Sequence, residues 1–130
     1  MNYLLDTHIL IWHSDDNQKL SDKVLSIFNS AYTDLYVSHA TFWEMTIKKG
    51  LGKLDLSVSV SKFYEAVIEN SFCELFFNRD HYEILENLPL FHSDPFDRMI
   101  IAQAITENLT IITQDKKFRL YQQLVPILWN

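Results

Sequence analysis

Four carboxylates stand where apolar runs end or are interrupted. Asp6 follows NYLL, Glu44 lies in TFWEM, Asp97 in DPFDRM, and Asp115 follows LTIITQ. An acid set between Trp43 and Met45, or among Phe96 and Met99, is costly to bury unless it is paired or binds a cation. Two carboxylates about 4 Å apart repel by roughly 4 kcal/mol at an effective dielectric near 20. Four brought together, with no cluster of lysines or arginines interleaved to neutralise them, require bound cations or raised pKa values. Oxygen-only ligands select hard cations, Mg²⁺ or Mn²⁺, over zinc. An open site of this kind suits phosphodiester hydrolysis, with one metal activating a water and a second stabilising the leaving oxygen.

Each acid taken alone has a plainer reading. Asp6 and Asp115 follow strand-like runs and could cap helices. Glu44 has Lys48 four residues on, a common surface pair worth a few tenths of a kcal/mol. Asp97 falls at the third helical position if Asp94 is the N-cap and Pro95 follows it, and an acid there is favoured by the helix dipole. The four together are harder to explain that way. All of them fall at one end of the sheet that the surrounding elements predict.

Those elements alternate. Strands are expected at 2–5, 35–38, 73–77, 109–113 and 125–129, the last an edge strand that accommodates Pro126. Helical patterns fill the intervals: THILIWHS, 21–32 with Ser21 as N-cap, 40–49 closed by Gly50, SVSKFYEAVIENS with Phe63, Val67 and Ile68 on one side, 79–88, the mostly apolar 95–108, and a terminal DKKFRLYQ. Strands separated by helices make right-handed crossovers and a parallel sheet, hence an α/β fold. Such sheets place their sites beyond the C-terminal ends of the strands. Asp6 and Asp115 follow strands directly, and Glu44 and Asp97 lie in the first turns of helices. The chain thus has the means to gather all four.

Composition bounds the rest. The 130 residues, 48% hydrophobic and 22% charged, fit one globular domain spanning 1–130. The single cysteine, Cys73, excludes an internal disulfide and suits a reducing cytoplasm. The N-terminus is a poor signal peptide, and no apolar stretch approaches the roughly 20 residues that span a bilayer. A net charge of −6 weighs against nucleic acid as a partner, although bound cations at an acidic cluster would reverse the local field. Two glycines, Gly50 and Gly52, are too few for a glycine-rich phosphate loop.

Other side chains invite chemistry without meeting its pattern. His8, His13, His39, His81 and His92 show no zinc spacing; His92, near Asp94, is the best alternative ligand and reads as a loop histidine. Ser38-His39 lacks the glycines of a nucleophile elbow. Lys48, Lys49, Lys53, Lys116, Lys117 and Arg119 read equally as solvated charge or as a phosphate-contacting rim. The aromatic residues fall mostly at core-like spacing rather than as base-stacking platforms. A receiver-type phosphoacceptor domain would need adjacent acids after the first strand, where Thr7 and His8 follow Asp6. A dehalogenase-type phosphatase would need Asp-x-Asp there. A non-catalytic binding module on the same fold is the remaining alternative.

The segments YLLDTHILIW, SHATFWEMTIKKGLGKL, LPLFHSDPFDRMIIAQA and LTIITQDKKF, in this order and spacing, resemble PIN-domain ribonucleases, specifically VapC-type toxins of bacterial type II toxin–antitoxin systems. The resemblance covers nearly the whole chain. It implies a three-layer α/β/α sandwich around a parallel sheet. It also implies a Mg²⁺- or Mn²⁺-dependent endoribonuclease whose acidic metal site is Asp6, Glu44, Asp97 and Asp115, with Thr7 and Thr113 as hydroxyls that orient those acids. Its implied partners are an RNA substrate, a cognate antitoxin and a second copy of the chain. Asp94 is an extra acid, expected to be the N-cap and left open as a site neighbour.

Overall fold

Residues 1–130 are described by a computed structural model. Five short strands, β1 (Asn2–Leu5), β2 (Asp34–Ser38), β3 (Cys73–Leu75), β4 (Thr110–Thr113) and β5 (Ile127–Trp129), pair in parallel throughout, in the order β3-β2-β1-β4-β5. The chain steps outward from β1 to β2 to β3, then returns to the other side of β1 and steps outward again. The order therefore reverses between β1 and β4, and a crevice opens beyond their C-terminal ends. A receiver domain places its first strand between the second and third; here β1 lies between β2 and β4, so that alternative is excluded.

Six helices cross between the strands: α1 (Thr7–Asp15), α2 (Asp22–Phe28), α3 (His39–Gly50), α4 (Val60–Glu69), α5 (Arg79–Asn87) and α6 (Pro95–Glu107). Strand side chains alternate between two cores, one on each face of the sheet. Tyr3, Leu5 and Ile112 meet Ile9, Leu10, Met45, Phe63 and Val67 from α1, α3 and α4. Leu4 and Ile111 meet Met99, Ile100, Ile101 and Ala104 of α6, with Phe118 and Tyr121. The result is the α/β/α sandwich that the alternation predicts.

Local signals set the helix ends. The side chains of Ser21 and Ser59 accept hydrogen bonds from Val24 N and Lys62 N, fixing the starts of α2 and α4. Helix α6 ends in Asn108, whose left-handed backbone (φ 56°) stops the helix before β4.

Several boundaries differ from the sequence reading. The turn after α3 is made by Gly52 at φ +70°, while Gly50 is the last helical residue. DKKFRLYQ forms a 3₁₀ segment, Lys116–Tyr121, because Phe118 and Tyr121, three apart, both turn into the core. The third strand stops at Leu75, and Ile68 is half-exposed while Phe63 and Val67 are buried.

Candidate active site

Asp6 is the residue at which β1 passes into α1. Its backbone N–H still belongs to the sheet, donating to Ile112 O at 3.0 Å. Its side chain makes no capping bond to α1, so the plain N-cap reading fails for Asp6. Instead Oδ2 accepts from Thr113 Oγ1 at 2.7 Å, across the crevice from β4. The same Thr113 oxygen accepts from Asp115 N at 3.0 Å. One hydroxyl thus ties together the acids that follow the two central strands. Asp115 in turn caps the 3₁₀ segment, its Oδ1 accepting from Lys117 N at 3.0 Å. For this acid the capping role and a place at the site coexist, because a carboxylate has a second oxygen to offer.

Glu44 arrives from the other side. One turn into α3, it is almost fully buried (3% exposed), and Oε1 accepts from Thr7 Oγ1 at 2.8 Å. Thr7 has one hydroxyl proton, committed to Glu44, so the 3.0 Å contact between the Thr7 and Thr41 hydroxyls is donated by Thr41. Thr7 and Thr113 thus stand where orienting hydroxyls are expected, and Thr41, buried behind Thr7, is an addition. Glu44 Oε2 accepts from Lys48 Nζ. Burial works against the Lys48 charge, but the bond to Glu44 and the charges of Glu44, Asp94 and Asp97 outweigh it and raise its pKa. The expectation that no basic residue is interleaved with the acids is therefore corrected. The i, i+4 spacing of Glu44 and Lys48 read as a surface pair, whereas their carboxylate is buried and their cation faces the acidic crevice.

Asp97 projects from the first turn of α6. Its backbone N–H donates to Asp94 Oδ1 at 2.9 Å, so Asp94 is the N-cap, with Pro95 following it. The Asp97 side chain is free for other work. Its pKa is pushed up to about 8, first by burial and then by the negative charges of Asp6, Asp94, Glu44 and Asp115. That order identifies the neighbours: all four predicted acids, and Asp94 with them, share one electrostatic environment. Asp6 is likewise raised to about 6, chiefly by burial, with the Thr113 bond and His8 opposing and Glu44 reinforcing.

The closest set of ligand atoms contains only two of the four predicted acids, and Asp6 and Glu44 lie outside it. One atom each from His92, Asp97 and Asp115 lie within 4.8 Å of one another. His92, expected to be an ordinary loop histidine, is buried and places Nε2 2.8 Å from Asp97 Oδ2. Its place five residues before Asp97 was the only signal in the sequence. Trp43 also departs from the core reading of the aromatic residues. It is 56% exposed on α3 and meets the Phe96 ring edge-on at 5.3 Å.

The donor set fits a hard divalent cation. Asp6, Glu44, Asp97 and Asp115 offer carboxylate oxygens, and burial first, then the charges of the neighbouring acids, disfavours the Asp97 charge, which a bound cation would offset.

A family model described as the PIN domain matches residues 3–124. Among solved structures, the chain superimposes on one of the VapBC2 complex from Rickettsia felis bound to a promoter DNA fragment, with a TM-score of 0.73 at 15% identity, covering 100% of this chain and 99% of that one. VapBC-1 from nontypeable Haemophilus influenzae gives a TM-score of 0.68 at 20% identity, covering 100% and 97%. VapBC-5 from Mycobacterium tuberculosis, a member of the VapBC family of toxin–antitoxin systems, gives 0.66 at 18%, covering 98% and 96%. At these identities the likeness is one of fold. No curated protein sequence matches the chain.

Proposed function

The chain belongs to the PIN domain family, and from that premise we propose that it is a metal-dependent endoribonuclease acting as the toxin of a type II toxin–antitoxin pair. The observation that carries this reading is the convergence of Asp6, Glu44, Asp97 and Asp115 on the β1–β4 crevice, with the Asp97 charge opposed by its neighbours. These four residues would hold Mg²⁺ or Mn²⁺. When bound, the cation lowers the pKa of a water and offsets charge on the phosphodiester in the transition state. The chain's own residues set the geometry. Thr113 holds Asp6 and the backbone of Asp115 in register, and Thr7 holds Glu44. Lys48, at the rim, offers a cation to a phosphate in a chain whose net charge is −6.

Two protein partners accompany this reading. An antitoxin that inserts an Arg or Lys among the acids would neutralise them through charge-assisted hydrogen bonds. A second copy suits the exposed apolar stripe Trp43 and Ile47 on α3 and Leu51 just past its end, spaced four residues apart. A toxin that cuts RNA would act in the cytoplasm. No helix is long and apolar enough to cross a membrane.

Purified protein free of any partner is expected to cleave RNA with Mg²⁺ or Mn²⁺ and to stop when EDTA is added. Equal cleavage in EDTA would overturn the metal-dependent mechanism. Expression of the chain alone is expected to arrest bacterial growth, and co-expression of the neighbouring gene product to relieve it. Unimpaired growth with abundant soluble protein would count against a toxin.

A further inference from the structure

The segment Leu88–His92, between α5 and α6, has no regular secondary structure beyond its first residue's place as the cap of α5, yet it is held from two sides. The Arg98 guanidinium, one residue past Asp97 on α6, donates from one nitrogen to Leu88 O at 3.1 Å. From the other it donates to Pro89 O at 2.9 Å and His92 O at 3.3 Å. The hydroxyl of the fully buried Tyr121 donates to Pro89 O at 2.7 Å. It accepts the backbone N–H groups of Phe91 and His92, each at 3.0 Å, and the Arg98 guanidinium lies 3.2 Å away. Both N–H and C=O of His92 are thus fixed by side chains reaching in from α6 and the 3₁₀ segment. What this fixing delivers is one imidazole nitrogen, His92 Nε2, placed 2.8 Å from Asp97 Oδ2.

We infer that His92 is a positioning residue of the acidic site, donating from Nε2 to one oxygen of Asp97 so that the other is aimed at the cation. An ionised carboxylate only accepts, so when Asp97 is charged the proton of this contact resides on Nε2. Asp97 Oδ2 is then occupied, and Oδ1, which no protein group bonds, is the oxygen left for a ligand. Without His92 the Asp97 side chain could rotate either oxygen toward the crevice or away from the other acids, which repel it. Hydrogen bonds that fix the carboxylates around a metal set its affinity, and their loss typically costs 10- to 100-fold. Arg98 and Tyr121 act one step further back by fixing the backbone that carries His92.

This inference rests on the metal site proposed above. Its test compares wild type, His92→Leu and His92→Gln for Mn²⁺ affinity by calorimetry, with nitrogen coupling to bound Mn²⁺ read by pulsed electron paramagnetic resonance. Melting in EDTA confirms that each variant is folded. Leucine removes the donor, and Mn²⁺ affinity is expected to fall at least tenfold. Glutamine carries an N–H donor at a similar reach and is expected to restore affinity to within about threefold of wild type. Wild-type affinity in a folded His92→Leu variant, or a glutamine variant as weak as the leucine one, would overturn the positioning role. So would a direct nitrogen coupling in wild type that is lost in His92→Gln, since His92 would then be a ligand itself. If wild type binds no Mn²⁺ at all, the metal site and this inference fall together; in the other failures the metal site stands.

Discussion

Asp94 and Asp97 are the same residue type, three positions apart, and the structure gives them opposite duties. Asp94 spends an oxygen on the backbone of α6, while Asp97 is buried among like charges with its pKa near 8 rather than 3.8. The native state without metal therefore binds a proton on Asp97 that the unfolded chain has already released between about pH 4 and 8. Where the folded state binds more protons, stability falls as pH rises. The metal-free protein is expected to lose melting temperature across that window, with Asp6 contributing to its lower part, up to about pH 6. Asp97→Asn removes the ionisation. It should flatten the profile, leave the metal-free protein at least as stable as wild type at pH 8, and abolish cleavage. A variant that melts lower at pH 8 and still cleaves at the wild-type rate would reduce Asp97 to a helix-end acid.

At the scale of the element, α6 is the part on which the site depends most. Six consecutive residues, Met99–Ala104, are buried, so the helix has no freedom to rotate and the direction of Asp97 is set by packing. Its start depends on Asp94. Asp94→Ala should cost about 0.5–2 kcal/mol in thermal or denaturant unfolding, with cleavage largely retained if the core holds the helix in place. The segment leading into α6 depends on Tyr121. Tyr121→Phe keeps the ring but leaves the N–H groups of Phe91 and His92 without their acceptor. Orphaned buried donors cost about 1–3 kcal/mol. Unfolding should report a loss of that size, and hydrogen exchange should show faster exchange at Phe91 and His92 than in wild type. Unchanged protection at those two amides would mean that Arg98 alone holds the segment.

For the whole molecule, the proposed cation would be a folding ligand as well as a cofactor. Four acids from β1–α1, α3, α6 and the segment after β4 meet only when both faces of the sheet are assembled, so the unfolded chain has no comparable site. A ligand that binds only the native state adds about 2.7 kcal/mol of stability at a free concentration of 100 times Kd. Wild-type melting should therefore rise by several degrees with saturating Mg²⁺ or Mn²⁺, by more at pH 8 than at pH 5, because protons compete for the same oxygens. A double variant, Asp6→Asn with Asp97→Asn, should show no such rise. An equal rise in that variant would place the cation elsewhere on the surface.

The sequence by itself determined the elements and the approximate place of the acids. The apolar periodicities, the Ser21 and Asp94 caps and the strand-end positions of Asp6 and Asp115 are local in the chain, and local chemistry is what patterning encodes. The order β3-β2-β1-β4-β5 then follows the general rule that the site of a parallel sheet lies where the strand order reverses. Only the tertiary structure decided which groups touch. Thr113 reaches Asp6 across 107 positions, and Thr7 reaches Glu44 across 37. The Glu44–Lys48 spacing looks the same in a surface pair and at the wall of a buried crevice; burial, a property of the assembled layers, distinguishes them. His92 is nearer to Asp97 in sequence than any of these, and its role was still illegible. Its loop has no repeating pattern, and its position is set by a tyrosine 29 residues further along the chain. A hydrogen bond is satisfied or lost within a few tenths of an ångström, a precision that hydrophobic pattern does not carry and close packing does.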